Sequence, residues 1–172
     1  MKVYTKKGDG GNRIELIGTI DELNSYIGHA KVLSEDHLKT NLAEIQRTLM
    51  KIMAAVADPR NLDYRMSAEE TVHLEDQIDE LEAAFPRARD FVLYGGCELS
   101  ARLDIARAVT RGAERRFRKV AQNYGADAKA MQYVNRLADY LYVEARFADH
   151  QAGNTEEVKL RETVIQNVMK NF

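Results

Sequence analysis

An excess of arginine between residues 98 and 119 is the strongest sign of chemistry in this sequence. The charged residues of the segment are Arg102, Arg107, Arg111, Arg115, Arg116, Arg118 and Lys119, against Glu98, Asp104 and Glu114. Guanidinium groups form paired hydrogen bonds with phosphate oxygens. Because the whole chain has a formal net charge of −2, this local excess of positive charge indicates an anion site.

Two sets of polar residues recur at helical spacing, so the members of each set would share one helix face. The first set is Arg107, Arg111, Glu114 and Arg118. The second set is Asn135, Asp139, Tyr142 and Arg146. Spacing alone favours solvated faces with ordinary ion pairs. The hypothesis of a site therefore depends on the excess of charge and not on the spacing.

The amino terminus is a second candidate for phosphate binding. Thr5–Gly11 reads TKKGDGG, in which glycines let backbone N–H groups turn toward an anion and lysines add positive charge. The segment is not a Walker A loop, because the G-x-x-x-x-G-K-[ST] spacing is absent. Taken by itself, it is explained as well by a flexible chain end.

Metal and nucleophile chemistry have little support in the sequence. Helical di-iron proteins need two Glu-x-x-His motifs, and only Glu70–His73 has this form. We expect all four histidines at surface or cap positions and predict no metal site. Cys97 is the single cysteine, which excludes an internal disulfide and favours a reducing cytosol; we expect it to be a small, partly buried residue.

Long helices must position these side chains, because apolar residues recur at steps of three and four along most of the chain. We predict five helices and a tail helix: the first from a capping box at Thr19–Glu22, then 36–57, Ser67 to Pro86, Gly96 to 123–125, 127–152, and a tail within 153–172. Short links between long amphipathic helices are typical of an up-and-down bundle. The predicted fold is all-α, with a short glycine-rich loop over residues 1–18 before a bundle over 19–152, in one domain.

Composition excludes several classes of function. The chain has 172 residues, of which 45% are hydrophobic and 30% charged, as in an ordinary globular domain. No apolar run is long enough to span a bilayer, and the first residues lack the apolar core of a signal peptide. A dedicated nucleic-acid binder usually has a basic excess. We therefore expect a cytoplasmic protein with neither a membrane nor a nucleic-acid partner.

Four segments, in order and at fitting distances, cover nearly the whole chain. They are Tyr4–Gly11 (YTKKGDGG), Gly18–Gly28 (GTIDELNSYIG), Phe91–Gly96 (FVLYGG) running into Ala106–Arg115 (ARAVTRGAER), and Tyr133–Tyr142 (YVNRLADYLY). Together they resemble the motifs of the PduO-type ATP:cob(I)alamin adenosyltransferases. Each motif is only moderately specific, whereas the ordered set is strongly specific.

The resemblance implies a ferritin-like five-helix bundle that forms a homotrimer, with an active site between adjacent subunits. It implies transfer of the 5′-deoxyadenosyl group of ATP to cob(I)alamin, with Mg²⁺ at the triphosphate and a flavin-type reductase as a possible partner. The implied ATP contacts are Thr5, Lys6, Lys7, Gly8, Asp9, Gly11, Arg111, Glu114, Arg115 and Asn135. Arg107, Arg111 and Asp21 would be catalytic, with Arg107 paired to Asp21 across the interface, and Phe91 and Asp139 would lie on the corrinoid side.

The sequence departs from the family pattern in four places. Gly112 stands where a second arginine is usual, Asp104 replaces a common histidine, and Tyr94 replaces the proline before Gly-Gly. A stretch that members carry is absent between Asn12 and Arg13. Either it is deleted from the protein or the sequence omits it; we favour omission, because both flanks match the family up to the junction. An intact mass of 19.6 kDa would contradict omission.

Two other functions compete with the adenosyltransferase. A member of the family could bind ATP or a corrinoid without catalysis, which Gly112 and the absent stretch would explain. A helical scaffold whose arginines only pair with acids is the third possibility. Formation of a Co–C bond separates the first two, and an ATP-induced thermal shift excludes the third.

Overall fold

The structure, a computed structural model, describes residues 11–88 and 91–158. Its elements are α1 (Asn12–Leu33), α2 (Asp36–Ala57), a short 3₁₀ helix (Leu62–Tyr64), α3 (Glu69–Ala84), β1 (Phe91–Val92), α4 (Glu98–Tyr124), α5 (Ala128–Gln151) and β2 (Glu157–Val158). The predicted five-helix, all-α fold is confirmed. Within the described residues, no helix is both long and apolar enough to cross a membrane.

Helices α1, α2, α4 and α5 form the body of the bundle, and α3 packs on α5. Helices α1 and α4 are antiparallel, since Arg13 stacks on the Tyr124 ring at one end and Arg102 bonds to His29 at the other. Helix α4 turns into α5 at Gly125, whose φ of 75° suits a residue without Cβ. The two helices that carry the predicted polar faces are therefore direct neighbours.

The core is made of the stripes that the sequence predicts. Ile20, Leu23, Ile27 and Ala30 of α1 are fully buried, as is Leu16, which lies in the segment predicted as a loop. The apolar seam of α2 is also buried and consists of Leu42, Ile45, Leu49, Ile52 and Val56. The bounds of helix α2 are those predicted, residues 36–57. Burial of each such leucine or isoleucine contributes about 1.5–3 kcal/mol, so these stripes hold α1 between α2 and α4.

The predicted start of the first helix is wrong. Helix α1 begins at Asn12, and the N–H groups of Ile14 and Glu15 donate to the Gly11 carbonyl. The Thr19 hydroxyl donates to the Glu15 carbonyl at 2.8 Å, so Thr19 lies inside the helix and caps nothing. The capping-box pattern misled the prediction because threonine can bond back to its own helix as readily as it caps one.

A second difference lies at the far end of the bundle, where Glu157 and Val158, inside the region predicted as a tail helix, form a strand instead. Phe91 pairs with Val158 and Val92 with Glu157 in an antiparallel two-stranded sheet. Most of the predicted tail helix lies outside the described residues. The short β1–β2 pair therefore ties the segment before α4 to the segment after α5.

Local predictions for histidine and cysteine are confirmed. All four histidines are exposed. Cys97 is half-buried at the start of α4, where its sulfur accepts a hydrogen bond from the Ser100 N–H at 3.4 Å. At the start of α3, the Ser67 N–H donates to the Glu70 carboxylate at 3.0 Å, but the N-cap residue is Ala68 and no side chain caps the helix, so a capping box from Ser67 to Glu70 forms only in part.

Candidate functional site

A groove of about 520 Å³ lies between α3, α4 and α5 and holds much of the predicted site. Arg107 and Arg111 of α4 face Asp139 and Tyr142 of α5 across it. The i, i+4 spacing of the two arginines places them on one face of α4, and the packing of α5 on α4 brings its polar face opposite. Two members of each polar set identified in the sequence thus share a single concave surface.

Arg111 is the arginine of this groove that can receive an anion. Its side chain is exposed, and among the described residues no carboxylate lies within 4 Å of it. By contrast, Arg136 is held by Glu75 at 2.9 Å and by Asp139 at 2.7 Å. Helix α4 therefore presents Arg111 to solvent at the mouth of the groove, where a phosphate could form two hydrogen bonds with it.

Glu114 organises the neighbouring part of the surface. Its Oε1 accepts from Arg118 at 2.7 Å and from Nδ2 of Asn135 at 3.2 Å. This link between α4 and α5 brings together two residues predicted to contact the nucleotide. Arg115 is exposed on the same helix. The structure thus joins Glu114 to Asn135 and leaves Arg115 at the surface beside them.

A buried cluster of charge lies beside the groove, and the sequence analysis missed it. Arg146 is only 2% exposed and bonds to Asp104 at 2.5 Å and to Asp149 at 3.0 Å. The spacing of Arg146 with Asn135 suggested a solvated face, which is wrong for this residue. The signal that could have revealed it is the run of apolar residues around Arg146, since a buried cation requires a nearby carboxylate.

The carboxyl group of Asp104 serves both arginines that flank it. Oδ1 of Asp104 is 3.6 Å from Nε of Arg107, while Oδ2 bonds to Arg146. Burial raises the pKa of Asp104 above its ordinary value, and the Arg146 and Arg107 guanidiniums oppose that rise. The geometry of the bonds to Arg146 is that of an ion pair, with two guanidinium nitrogens on one carboxylate.

Phe91 and Tyr94 are the exposed aromatic residues of the segment before α4, with 65% and 59% of their surfaces accessible. Hydrogen bonds fix this segment to the residues that follow α5. The Leu93 N–H donates to the Glu156 carbonyl at 3.0 Å, and Nδ2 of Asn154 donates to the Gly96 carbonyl at 2.9 Å. An exposed ring on a fixed backbone suits contact with a flat apolar ligand.

The structure does not bring Asp21 to Arg107 within one chain. Asp21 is exposed on α1, and the partners of Arg107 among the described residues are Asp104, Tyr94 and Tyr142 of its own chain. The predicted pair across a subunit interface therefore stays a prediction.

Part of the predicted nucleotide loop, Thr5, Lys6, Lys7, Gly8 and Asp9, lies outside the described residues. Gly11, the last of the predicted nucleotide contacts in that loop, has φ 105° and leads directly into α1.

The chain is similar in sequence and in structure to known adenosyltransferases. The family model for cobalamin adenosyltransferase matches residues 4–148. A corrinoid adenosyltransferase of Bacillus subtilis is 35% identical, over 89% of this chain and 89% of that protein, and human corrinoid adenosyltransferase MMAB is 34% identical, over 93% and 74%. A solved structure is similar with a TM-score of 0.81 and 29% identity, over 91% of this chain and 98% of that one. It is a variant PduO-type ATP:corrinoid adenosyltransferase from Lactobacillus reuteri complexed with cobalamin and ATP.

Both sequence alignments are longer than this chain. They run over 176 and 184 positions, whereas the chain has 172 residues. Each relative therefore has residues without a counterpart here, and the resemblance led us to expect such residues between Asn12 and Arg13. In the structure these two residues are consecutive in the first turn of α1.

Proposed function

Since the chain belongs to the cobalamin adenosyltransferase family, we propose that the α3–α4–α5 groove and the exposed Phe91 segment are two sides of one adenosyl-transfer site. The protein is a corrinoid adenosyltransferase, which transfers the 5′-deoxyadenosyl group of ATP to cob(I)alamin and yields adenosylcobalamin and triphosphate. The observation that carries the assignment of the site is the exposed Arg111, on the same groove as Arg107 and beside the Glu114–Asn135 link.

In this reaction no side chain of the protein needs to form a covalent bond, because the nucleophile belongs to the corrinoid substrate. Co(I) of the corrinoid substrate attacks C5′ of ATP, a Co–C bond forms, and the C5′–O bond breaks as the triphosphate leaves with the electron pair. The protein must align the two substrates and stabilise charge on the leaving group. Arg111 serves the second task in our proposal, because it is cationic, exposed and free of a carboxylate within 4 Å among the described residues.

The remaining predicted nucleotide contacts have supporting roles. The Glu114 carboxylate is anchored by Arg118 and Asn135, so it can accept hydrogen bonds from the sugar or base of ATP in a fixed direction. Arg115 adds positive charge beside it. The segment from Thr5 to Gly11, which carries glycines and lysines, is proposed to complete the phosphate contacts.

Phe91 is proposed to lie against the corrin ring. Its ring is exposed although the backbone around it is fixed by β1–β2 pairing. An apolar ring at this place would exclude a lower axial ligand from cobalt and so favour reduction of Co(II). Asp139, which borders the same groove, is proposed on the corrinoid side.

We further propose a homotrimer in which Asp21 of one subunit meets Arg107 of the next. The proposal is supported by the exposure of Asp21 on α1 and by the guanidinium of Arg107, which is partly exposed on the groove and makes one hydrogen bond within the described residues. A carboxylate from a neighbouring subunit could accept from such a donor.

The proposal also includes a Mg²⁺ ion, a reductase that donates the electron and a cytoplasmic location. No group of three or more His, Cys, Asp or Glu side chains within the described residues could hold a metal ion. The Mg²⁺ that we propose therefore enters on the triphosphate of ATP, as is usual for this ion. A flavin-type reductase is proposed to supply the electron, and the single cysteine supports a cytoplasmic location.

The test is a cob(I)alamin assay with ATP under reducing conditions, in which formation of the Co–C bond is followed by absorbance. We expect the wild-type protein to form adenosylcobalamin and Arg111→Ala to lower kcat/KM for ATP by about 100-fold, the scale of losing one transition-state donor. Arg47→Ala is the matched control, because Arg47 is an exposed arginine inside α2, on a different helix from the groove. Equal kcat/KM for Arg111→Ala and wild type would contradict the assigned role.

A further inference from the structure

Tyr94 makes an unusual set of contacts for a residue that is 59% exposed. The Cζ atoms of two arginines lie over its ring, Arg107 at 5.1 Å from the centroid and Arg146 at 5.2 Å. Its hydroxyl oxygen also accepts a hydrogen bond from Nη2 of Arg107 at 3.1 Å. Tyr94 is thus in contact with one arginine of the groove and one of the buried cluster.

The hydroxyl of Tyr94 accepts the only hydrogen bond that the Arg107 guanidinium makes within the described residues. Nε of Arg107 is buried without a hydrogen-bond partner, and its distance of 3.6 Å to Asp104 is too long for one. The charge of Asp104 attracts Arg107 but does not set its direction. Among the described residues, Tyr94 therefore supplies the one directional contact of the guanidinium, whose Cζ also lies 5.9 Å from the centroid of the Tyr142 ring.

Tyr94 is itself supported by fixed parts of the fold. Beneath its ring, Arg146 is anchored by Asp104 and Asp149, both of which are buried. The backbone on either side of Tyr94 is tied to the segment after α5, through Leu93 to Glu156 and through Gly96 to Asn154. Because Tyr94 is fixed in this way, its hydrogen bond with Arg107 holds the Arg107 guanidinium in one orientation.

We propose that Tyr94 is a positioning residue for the adenosyl-transfer reaction, which fixes the direction of Arg107 and couples it to the backbone that carries Phe91. The inference rests on the proposed function of the groove. The Tyr94 phenol orients the guanidinium of Arg107, while Arg111 binds the leaving triphosphate independently. Loss of the phenol should then affect turnover more than ATP binding.

The experiment is a double-mutant cycle between Tyr94→Phe and Arg107→Ala, measured as kcat and as KM for ATP. Tyr94→Phe keeps the ring and removes the hydrogen bond, so we expect kcat to fall about 3- to 10-fold with KM for ATP little changed. In the Arg107→Ala background the same substitution should change kcat by less than about 2-fold, since the residues act as a unit. Tyr94→Leu, which also removes the ring, should lower kcat further.

A second readout does not depend on turnover. The absorption spectrum of Co(II) corrinoid bound with ATP should shift in Tyr94→Leu if Tyr94 couples Arg107 to the Phe91 segment. Tyr64→Leu is the matched control, because Tyr64 lies in the short 3₁₀ helix after α2, which does not line the groove. The melting temperature of each variant identifies any that fail to fold.

The outcomes separate the two proposals. An active wild-type protein with a coupled cycle supports the role of Tyr94. An active wild-type protein with additive effects, or with Tyr94→Phe equal to wild type, overturns that role and leaves the proposed function standing. A wild-type protein that forms no Co–C bond overturns the proposed function itself.

Discussion

Glycine-to-alanine substitution should have opposite effects at two positions of this fold, and the structure gives the size of each. Gly18 lies inside α1, and a Cβ added there would meet nothing within 4 Å. Alanine in a helix interior is more stable than glycine by about 0.5–1 kcal/mol. At Gly96, an added Cβ would lie 2.5 Å from the backbone oxygen of Asn154 and 2.5 Å from Oδ1 of Asp149.

The clash at Gly96 cannot be relieved by a small movement of its neighbours. Asp149 is fully buried, and its other carboxylate oxygen is held by Arg146 at 3.0 Å. Asn154 is tied through its side chain to the Gly96 carbonyl. Overpacking of this kind typically costs about 1–3 kcal/mol, and disturbance of the Arg146 pair would add to it. We expect a loss of at least about 2 kcal/mol.

Thermal unfolding of the two variants beside wild type provides the assay. For a chain of this size, about 1 kcal/mol corresponds to a shift of about 2–4 °C in Tm. Gly18→Ala should raise Tm by about 1–4 °C, and Gly96→Ala should lower it by at least about 4 °C. Gly112→Ala is a second positive case, because the nearest atom to its added Cβ is Nη1 of the Arg116 side chain at 3.6 Å.

The expected rise in Tm for Gly18→Ala and the expected fall for Gly96→Ala test different parts of the structure. A Tm for Gly18→Ala that does not rise would refute the start of α1 at Asn12, since alanine in a loop at Gly18 would bring no helical gain. An unchanged Tm for Gly96→Ala would refute the close packing of the Phe91–Gly96 segment on Asp149 and Asn154. Far-UV circular dichroism of each variant provides the control for helix content.

Three further substitutions probe the site and the core. Phe91→Ala should leave Tm within about 2 °C of wild type, because the ring is 65% exposed, yet slow Co(II) reduction; an unaltered Co(II) spectrum in the ATP-bound variant would contradict its role. Asp21→Ala should lower the mass measured by light scattering, or the activity, and an unchanged mass and activity would exclude the proposed pair with Arg107. Burial raises the pKa of Glu144 above its ordinary value, against an opposing hydrogen bond from Tyr140. The folded protein then binds more protons than the unfolded chain from about pH 4.3 up to the raised pKa, so stability falls as pH rises through that window. The Tm of wild type relative to Glu144→Gln should decline over this window, and a constant difference would show that Glu144 titrates normally.

Most of the fold was predictable because the apolar stripes have one period throughout. The seam of α2 and the inward face of α5 are buried as their spacing predicts, and proline or glycine ends several helices where the sequence indicates. The start of α1 was not predictable in the same way, because Thr19–Glu22 satisfies the rules of a cap although it lies within a helix. The two-residue strands could not be foreseen, since a pair so short has no alternation to detect.

The candidate site was predictable in its exposed part and not in its buried part. Helical spacing correctly placed Arg107 and Arg111 on one face, opposite Asp139 and Tyr142. The ion pair of Arg146 with Asp104 joins residues 42 positions apart in sequence, so no local pattern contains it. Long-range pairs of this kind depend on how the helices pack, which single-sequence periodicity does not specify.

The β1–β2 pair has a practical consequence for anyone who shortens this protein. A chain cut after Gly153 would retain all five helices, and it should still give a helical spectrum and a cooperative melt. It would lack Asn154, Glu156 and strand β2, which together fasten the segment before α4. Such a truncated protein could pass every routine check of folding and nevertheless handle its corrinoid poorly.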